Sequence, residues 1–262
     1  MNVAPVVTQT PALSARNIGL RYDGADKPVL SGFSLDLAEG EIVSLLGSSG
    51  VGKSSLLRVL AGLQPPSTGE VQTAGRVVSG VHPRLAMAFQ NPALLPWLDL
   101  EANVAFGLDF RRQPRISRAE LQARVDQAIR EVGLSHARKL RPAALSGGMA
   151  QRAALARCLA REPQVLLLDE PFGALDEVTR SEMQRLLVKV VSDYGTAAVL
   201  VTHDIDEALL VSDRIILLGG SPASQIGEWT IDLPKPREDF VEELGQIRVE
   251  IVSTLRNAVR RH

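Results

Sequence analysis

The stretch GSSGVGKSS, Gly47 to Ser55, constrains the fold of this chain more than any other feature of the sequence. It follows the apolar run EIVSLLG and leads directly into the helical pattern of SLLRVLAGL, so the order is strand, glycine loop and helix. Gly47, Gly52, Lys53 and Ser54 fall at the positions of a phosphate-binding loop, G-x-x-x-x-G-K-[ST]. A glycine turn with no ligand is the alternative, and the flanking strand and helix argue against it.

Such a loop predicts specific contacts with a nucleotide. Its backbone N–H groups would close around the α- and β-phosphates, Lys53 would reach the β- and γ-phosphates, and the Ser54 hydroxyl would ligate Mg²⁺. The residues predicted to bind the nucleotide here are Gly47, Ser48, Ser49, Gly50, Val51, Gly52, Lys53, Ser54 and Ser55.

A second motif, VLLLDE, places Asp169 and Glu170 at the end of an apolar run that is typical of a buried strand. Asp169 is suited to hold Mg²⁺, and Glu170 to orient and deprotonate an attacking water. Taken alone, two carboxylates after a strand would be a helix cap or a solvated pair. Together with a phosphate-binding loop they favour nucleotide hydrolysis.

Between these two motifs lies LSGGMAQR, Leu145 to Arg152. A Ser-Gly-Gly turn that opens a helix leaves unpaired N–H groups and the positive end of the helix dipole free to face an anion. With GSSGVGKSS, VLLLDE, the GALD that follows and the late His203, the chain resembles the ATPase subunits of ABC transporters over residues 13 to 225. In that family two subunits pack head to tail, so Ser146, Gly147 and Gly148 would bind the γ-phosphate of ATP held by the opposite Lys53.

The same resemblance implies roles for four single residues. Tyr22 would stack on adenine, and Gln90 would sense Mg²⁺ and the attacking water as a catalytic and metal-site residue. Asp176, in GALD, would align the two active sites across the dimer, and His203 would contact the γ-phosphate and support Glu170. Without the resemblance, each of these would be an ordinary polar or aromatic residue at the end of a strand or in a loop.

Three stretches resemble one branch of the family, the importers of nitrate, sulfonates and taurine. The first is Met149-Ala150, where the broad family often has Gln at the first position. The other two are FQNPALLPWLDLEANVAFGL, Phe89 to Leu108, and DLPKPRE, Asp232 to Glu238. In the family, a groove between the core and the helical subdomain, to which the second stretch contributes, receives a short cytoplasmic helix of the permease. The residues expected to line or support that groove, or else to fill the core, are Leu94, Leu95, Trp97 and Phe106.

The bulk composition limits the possible partners. With 29 Lys and Arg against 30 Asp and Glu, the net charge of −1 provides no general attraction to nucleic acid or to an anionic membrane. The single Cys158 lies in ALARCLA and is expected to be a buried small hydrophobe, not a redox group. No apolar run approaches a membrane span, so we expect a soluble, cytoplasmic chain. The resemblance to ABC transporter subunits implies that it lies peripherally at the cytoplasmic face of the plasma membrane.

The expected fold is α/β: a P-loop NTPase (RecA-like) core with an antiparallel β subdomain and an inserted α-helical subdomain. We expect a loose tail at residues 1–11, the ATPase domain at 12–225 with the helical insertion at about 92–162, and an extension at 226–262 that ends in a helix. The extension is too short for a ligand-sensing regulatory β-domain.

The leading functional hypothesis is an ATP-hydrolysing subunit, using ATP and Mg²⁺, of an importer for aliphatic sulfonates, taurine or nitrate. Its partners would be a second ATPase subunit, two membrane permease subunits and, indirectly, a solute-binding protein, with no nucleic acid. The alternatives are an importer ATPase for another small solute and a soluble ABC-type ATPase acting on DNA or ribosomes. A P-loop kinase or GTPase is disfavoured, because LSGGMAQR has no role there.

Overall fold

The computed structural model of the protein describes residues 10–259, so most of the predicted loose tail at residues 1–11 lies outside the described residues. The strands are β1 Leu13–Leu20, β2 Leu30–Leu37, β3 Ile42–Leu46, β4 Thr68–Thr73, β5 Arg76–Val77, β6 Leu85–Ala88, β7 Val165–Asp169, β8 Ala197–Val201, β9 Arg214–Gly219 and β10 Ser224–Thr230. The helices are α1 Lys53–Leu60, α2 Leu100–Ala105, α3 Arg118–Glu131, α4 Gly147–Leu159, α5 Glu177–Tyr194, α6 Ile205–Val211 and α7 Val241–Val259.

A six-stranded sheet in the order β10-β9-β3-β8-β7-β6 forms the centre of the molecule. The five strands from β9 to β6 pair in parallel, and β10 pairs antiparallel with β9 at the edge. Every residue of β3, β7 and β8 is buried, as expected for short apolar strands covered on both faces. Because the strands are parallel, their carboxyl ends meet along one edge of the sheet.

The second sheet is antiparallel, in the order β2-β1-β4-β5. Its buried side chains form one core with α1 and with one face of the central sheet. The other face of the central sheet packs against α4 and α5, and this core continues without a break into α2 and α3. The phosphate-loop segment therefore starts a helix that lies between the two sheets.

The chain between β6 and β7 contains the three helices α2, α3 and α4. Asp99 and Ser117 begin α2 and α3 as N-cap residues, each accepting a hydrogen bond from a backbone N–H one turn later. Cys158, in α4, is buried, and burial raises the pKa of its thiol to about 11. The expectation that this cysteine is buried is confirmed.

Beyond Gly220 the sheet continues, since β10 spans the expected domain boundary at residue 225. Its residues are partly buried or exposed without strict alternation and include a glycine, which explains why the sequence pattern did not predict this strand. α7 then packs near β9, β10 and α6 through a third, smaller core. Within the described residues, no helix has the length and apolar character needed to cross a membrane.

Arg237 of the DLPKPRE segment fastens this extension to the domain. Only 1% of Arg237 is exposed, and its guanidinium donates hydrogen bonds to four backbone carbonyls. The acceptors are the carbonyls of Leu209, Ser212, Ile231 and Leu233. Leu209 lies in the last turn of α6 and Ser212 is its C-cap, a helix end where carbonyls lack helical partners and a cation is favoured. The segment that resembled one importer branch thus has a structural role.

Candidate active site

The phosphate-loop segment lies at the carboxyl end of β3 and is shaped by glycines. Gly47 has φ +156°, and a Cβ there would lie 2.7 Å from the carbonyl oxygen of Leu218. Gly52 has φ +105° and begins α1, and a Cβ there would lie 2.9 Å from Cγ1 of Val29. Side chains at these two positions are excluded both by backbone conformation and by space.

Lys53, the first residue of α1, is held inside this loop. Its Nζ donates to the carbonyl oxygens of Gly47 at 2.8 Å and Ser48 at 3.0 Å, and only 5% of the residue is exposed. Burial lowers the pKa of Lys53, while the carboxylates of Glu170 and Asp169 oppose this shift. The ammonium therefore lies where an anionic phosphate would relieve the cost of burying its charge.

Ser54 and Asp169 meet although they are far apart in the sequence. The Ser54 hydroxyl donates to Oδ1 of Asp169 at 2.9 Å, joining the start of α1 to the end of β7. Burial raises the pKa of Asp169, and the hydrogen bond from Ser54 partly offsets that effect. A hydroxyl and a carboxylate side by side are the oxygen donors that a hard cation such as Mg²⁺ prefers.

Glu170 follows β7 in an unusual backbone conformation, with φ +46°. Its N–H donates to the carbonyl of Val201 at 2.9 Å, which keeps the backbone of Glu170 attached to the end of β8. Positive φ at a residue other than glycine costs about 1–3 kcal/mol and is concentrated at functional sites.

Two side chains from neighbouring loops hold the Glu170 carboxylate. Gln90 Nε2, after β6, donates to Oε2 at 3.0 Å, and His203 Nδ1, after β8, lies 3.3 Å from Oε1. The three residues come from three adjacent strands whose carboxyl ends share one edge of the sheet. A carboxylate with fixed orientation next to a buried lysine and a serine–aspartate pair is suited to deprotonate a water aimed at a phosphate.

Tyr22 and Ser55 are brought together by the antiparallel sheet. The Tyr22 hydroxyl lies 2.7 Å from Oγ of Ser55, and 42% of the tyrosine is exposed. An aromatic ring open to solvent, next to the first turn of α1, is available to stack on a flat base.

Ser146, Gly147 and Gly148 lie at the start of α4. Ser146 is the N-cap and its hydroxyl accepts from the N–H of Met149 at 3.2 Å. A Cβ on Gly147 would meet nothing within 4 Å, whereas one on Gly148 would lie 2.4 Å from Cγ2 of Thr179. Within residues 10–259, no hydrogen bond or ion pair joins these three residues to the phosphate loop. The two predicted nucleotide contacts are therefore separate in one copy of the chain.

Asp176 is the N-cap of α5. Its carboxylate accepts from the N–H of Thr179 at 3.1 Å and from the Thr179 hydroxyl at 2.7 Å. These hydrogen bonds lower the pKa of Asp176. Since Thr179 also faces Gly148, the loop containing Asp176 and the start of α4 are in contact within the same chain.

Gln151 is a site residue for which the sequence analysis assigned no role. It is 5% exposed in α4, and its Nε2 donates to the backbone carbonyl of Gln90 at 3.0 Å. Its position within LSGGMAQR, in an otherwise alanine-rich helix, was a signal that could have identified it. It links the segment LSGGMAQR to the residue that holds Glu170.

Comparisons with known proteins agree with this geometry. Residues 30–173 match the family described as ABC transporter. The chain is 48% identical to the aliphatic sulfonates import ATP-binding protein SsuB 1 of Xanthomonas axonopodis pv. citri, over 87% of this chain and 91% of that protein. It is 41% identical to the nitrate transport protein NasD of Klebsiella oxytoca, over 87% of this chain and 88% of the relative.

A third relative is longer than this chain. The bicarbonate transport ATP-binding protein CmpC of Synechocystis sp. is 48% identical over 91% of this chain, which spans 36% of that protein. The expected resemblance to importer ATPases for nitrate and sulfonates is confirmed, with bicarbonate as a solute that the sequence analysis did not name.

Solved structures show the same fold. The ATP-binding cassette MJ0796, in a dimer bound to ADP and Pi, has a TM-score of 0.74 and 30% identity over 85% of this chain and all of that one. Cassette cbiO1 of Clostridium perfringens, part of an ABC transporter complex, has a TM-score of 0.77 and 27% identity over 93% of this chain and 96% of its own. The expected P-loop NTPase fold is confirmed, and the chain belongs to the ATP-binding, ATP-hydrolysing subunits of the ABC transporter family.

Proposed function

We propose that this chain energises an importer for a small oxyanion or organic sulfonate by hydrolysing ATP at a site shared between two copies. The observation that carries the chemistry is the Glu170 carboxylate, held by Gln90 and His203 next to the phosphate loop. Glu170 would take the proton of the attacking water, and Lys53 would stabilise the negative charge of the β- and γ-phosphates.

Mg²⁺ fits the residues present at this site. Within the described part of the chain, no group of three or more His, Cys, Asp or Glu is arranged to hold a metal by itself. Mg²⁺ usually keeps several waters and binds through one or two protein oxygens together with substrate phosphates. Ser54 and Asp169 would supply those oxygens together with Gln90, which is hydrogen-bonded to the adjoining Glu170, and the cation would neutralise phosphate charge.

The shared site follows from the separation of the two phosphate-binding segments. Ser146, Gly147 and Gly148 present the open start of α4, whose unpaired N–H groups and dipole favour an anion. They make no bond to the phosphate loop of their own chain, so a head-to-tail dimer would place them on the γ-phosphate bound by the partner. The related cassette MJ0796 forms a dimer bound to ADP and Pi, which supports pairing of two copies.

An exposed aromatic surface would receive the permease. Trp97 is 67% exposed and Phe106 is 42% exposed, and Phe106 packs edge to face on Phe110 with ring centroids 5.2 Å apart. Leu94 packs partly into the core behind this surface. Exposed aromatic side chains are enriched at protein interfaces. The permease helix would dock here, which would place the chain peripherally at the cytoplasmic face of the membrane.

The transported solute is inferred from the relatives. Their names refer to aliphatic sulfonates, nitrate and bicarbonate, which are all small oxyanions. We infer a solute of the same chemistry, delivered by a binding protein to two permease subunits.

The hydrolytic role is tested with Glu170→Gln. The variant keeps the shape of the side chain but removes the base, so turnover should fall by about 10²–10⁴-fold. ATP binding should persist, and gel filtration with ATP should show a trapped dimer. Glu242→Gln, at an exposed position of α7, is the matched control. Full turnover by Glu170→Gln, or no turnover by the wild type with Mg²⁺ and ATP, would refute the proposal.

The transport role is tested by deleting the gene in its host. Growth with an alkanesulfonate as the only sulfur source, or with nitrate as the only nitrogen source, should be lost and restored by the wild-type chain. Trp97→Ala should fail to restore growth while hydrolysing ATP in isolation, whereas Val249→Ala, an exposed apolar position on α7, should restore it. Normal growth of the deletion strain on both sources would count against these solutes.

A further inference from the structure

A buried carboxylate, Glu207, joins the loop that carries His203 to the loop that carries Asp176. Glu207 lies in the first turn of α6 and is 6% exposed. It contacts neither the phosphate loop nor Glu170 through any hydrogen bond in the described residues. Its two carboxylate oxygens instead face two different segments of the active-site edge.

One oxygen faces the residue immediately before His203. The Thr202 hydroxyl donates to Oε2 of Glu207 at 2.7 Å and itself accepts from the N–H of Asp204 at 3.0 Å. Asp204 also caps α6, accepting from the N–H of Glu207 at 3.2 Å. Both neighbours of His203 in the sequence are therefore fixed by contacts with the first turn of α6.

The other oxygen faces α5. Arg180 Nε lies 3.6 Å from Oε1 of Glu207, and Arg180 Nη2 donates to the carbonyl of Leu175 at 3.0 Å. The N–H of Arg180 donates to the carbonyl of Asp176 at 2.8 Å. The guanidinium thus holds the backbone next to Asp176 while it faces Glu207.

A gain in folding stability does not explain why Glu207 is buried beside Arg180. Burial raises the pKa of Glu207, because a charged carboxylate loses its hydration there, and Arg180 and Thr202 compensate only in part. A well-packed apolar pair of similar volume would often be at least as stable as a buried ion pair. The network is therefore better explained by the position it imposes on the two loops than by the energy it contributes.

We propose that Glu207 is a positioning residue for ATP hydrolysis, which couples the His203 loop through Thr202 to the Asp176 loop through Arg180. When the site closes around the nucleotide, the two loops then move as one unit. The inference rests on the ATPase activity and on the roles proposed for His203 and Asp176. Thr202 and Arg180 share only this carboxylate as a partner. The proposal therefore predicts that substitutions at these two positions have non-additive effects on turnover.

The test is a double-mutant cycle on the full chain with Mg²⁺ and ATP. Glu207→Gln, Thr202→Val and Arg180→Met should each lower kcat by roughly 5- to 30-fold. KM for ATP should change little, because none of these side chains is placed to contact the nucleotide. The double variant Thr202→Val/Arg180→Met should be no slower than the slower single variant, since either change alone already breaks the coupling.

Two controls separate coupling from general damage. Glu177→Gln removes the other carboxylate that pairs with Arg180, on an exposed side chain, and should leave kcat unchanged. Thr202→Ser keeps the hydroxyl and should restore wild-type turnover. Should Glu207→Gln fail to fold, the cycle on Thr202 and Arg180 decides alone.

The coupling would be overturned if the effects of Thr202→Val and Arg180→Met on kcat simply multiplied in the double variant. It would also be overturned if the variants lost ATP binding and turnover to the same extent. If the wild type turns over ATP and Glu170→Gln does not, the hydrolytic role stands whatever the cycle shows. A wild-type chain without turnover would instead remove the proposed function itself.

Discussion

Arg237→Met tests whether one buried guanidinium fastens the C-terminal extension to the domain. Methionine keeps an unbranched apolar stem of similar reach but loses every donor. The four carbonyls of Leu209, Ser212, Ile231 and Leu233 then lose their partner, and the first two lie in the last turn and at the C-cap of α6.

The expected cost follows from these contacts. Each buried carbonyl left without a donor costs about 1–3 kcal/mol, although water entering the site would satisfy part of the set. For the four carbonyls together, with this partial compensation by water, we expect a total cost of about 3–5 kcal/mol. For a chain of this size, that corresponds to a fall in Tm of roughly 6–20 °C.

Arg248→Met is the matched control. Arg248 also joins the extension to α6, because its Nε donates to Asp206 at 2.8 Å, but both side chains are more than half exposed. An exposed ion pair contributes at most about 1 kcal/mol, so Tm should fall by no more than about 4 °C.

The assay is thermal and urea unfolding of the two variants and the wild type without nucleotide, followed by circular dichroism. The midpoint should fall for Arg237→Met with little change in the denaturant slope, because the folded state keeps its compactness. An Arg237→Met protein that melts within about 2 °C of the wild type would show that the network contributes little to stability.

Three further predictions concern the active site. Gly148→Ala should destabilise the nucleotide-free protein by about 1–3 kcal/mol, because its methyl group meets Thr179, whereas Gly147→Ala should not; equal melting temperatures would contradict this. Lys53→Ala should lose nucleotide affinity in a fluorescent-nucleotide titration, and wild-type affinity would count against the phosphate-loop assignment. Asp169→Asn should melt higher than the wild type without nucleotide, because burial raises the pKa of Asp169 and its charged form is costly. Because its folded-state pKa is raised, the Asp169 carboxyl destabilises the wild type only once the pH is high enough to ionise it. The increase in Tm caused by Asp169→Asn should therefore be largest at neutral pH and shrink toward about pH 4, and an increase that stays constant with pH would refute this reasoning.

Several features could be predicted from the sequence because their physical basis is local. A glycine loop between an apolar strand and a helix determines its own backbone geometry, and the structure places Gly47, Gly52 and Lys53 accordingly. The Ser-Gly-Gly turn likewise fixes Ser146 as the cap of α4. Other structural features were not predicted. β10 shows neither clear alternation nor a continuous apolar run, so it gave no strand signal.

The sequence by itself therefore determined the chemistry: a phosphate loop, two carboxylates after a buried strand and an anion-binding helix start. Only the tertiary structure decided which side chains touch, since Gln90 and His203 are 80 and 33 residues from Glu170 along the chain. They meet because parallel strands bring their carboxyl ends to one edge of a sheet. The buried roles of Arg237 and Glu207 depend on carbonyls and side chains of distant segments, and such contacts leave no periodic pattern in the sequence.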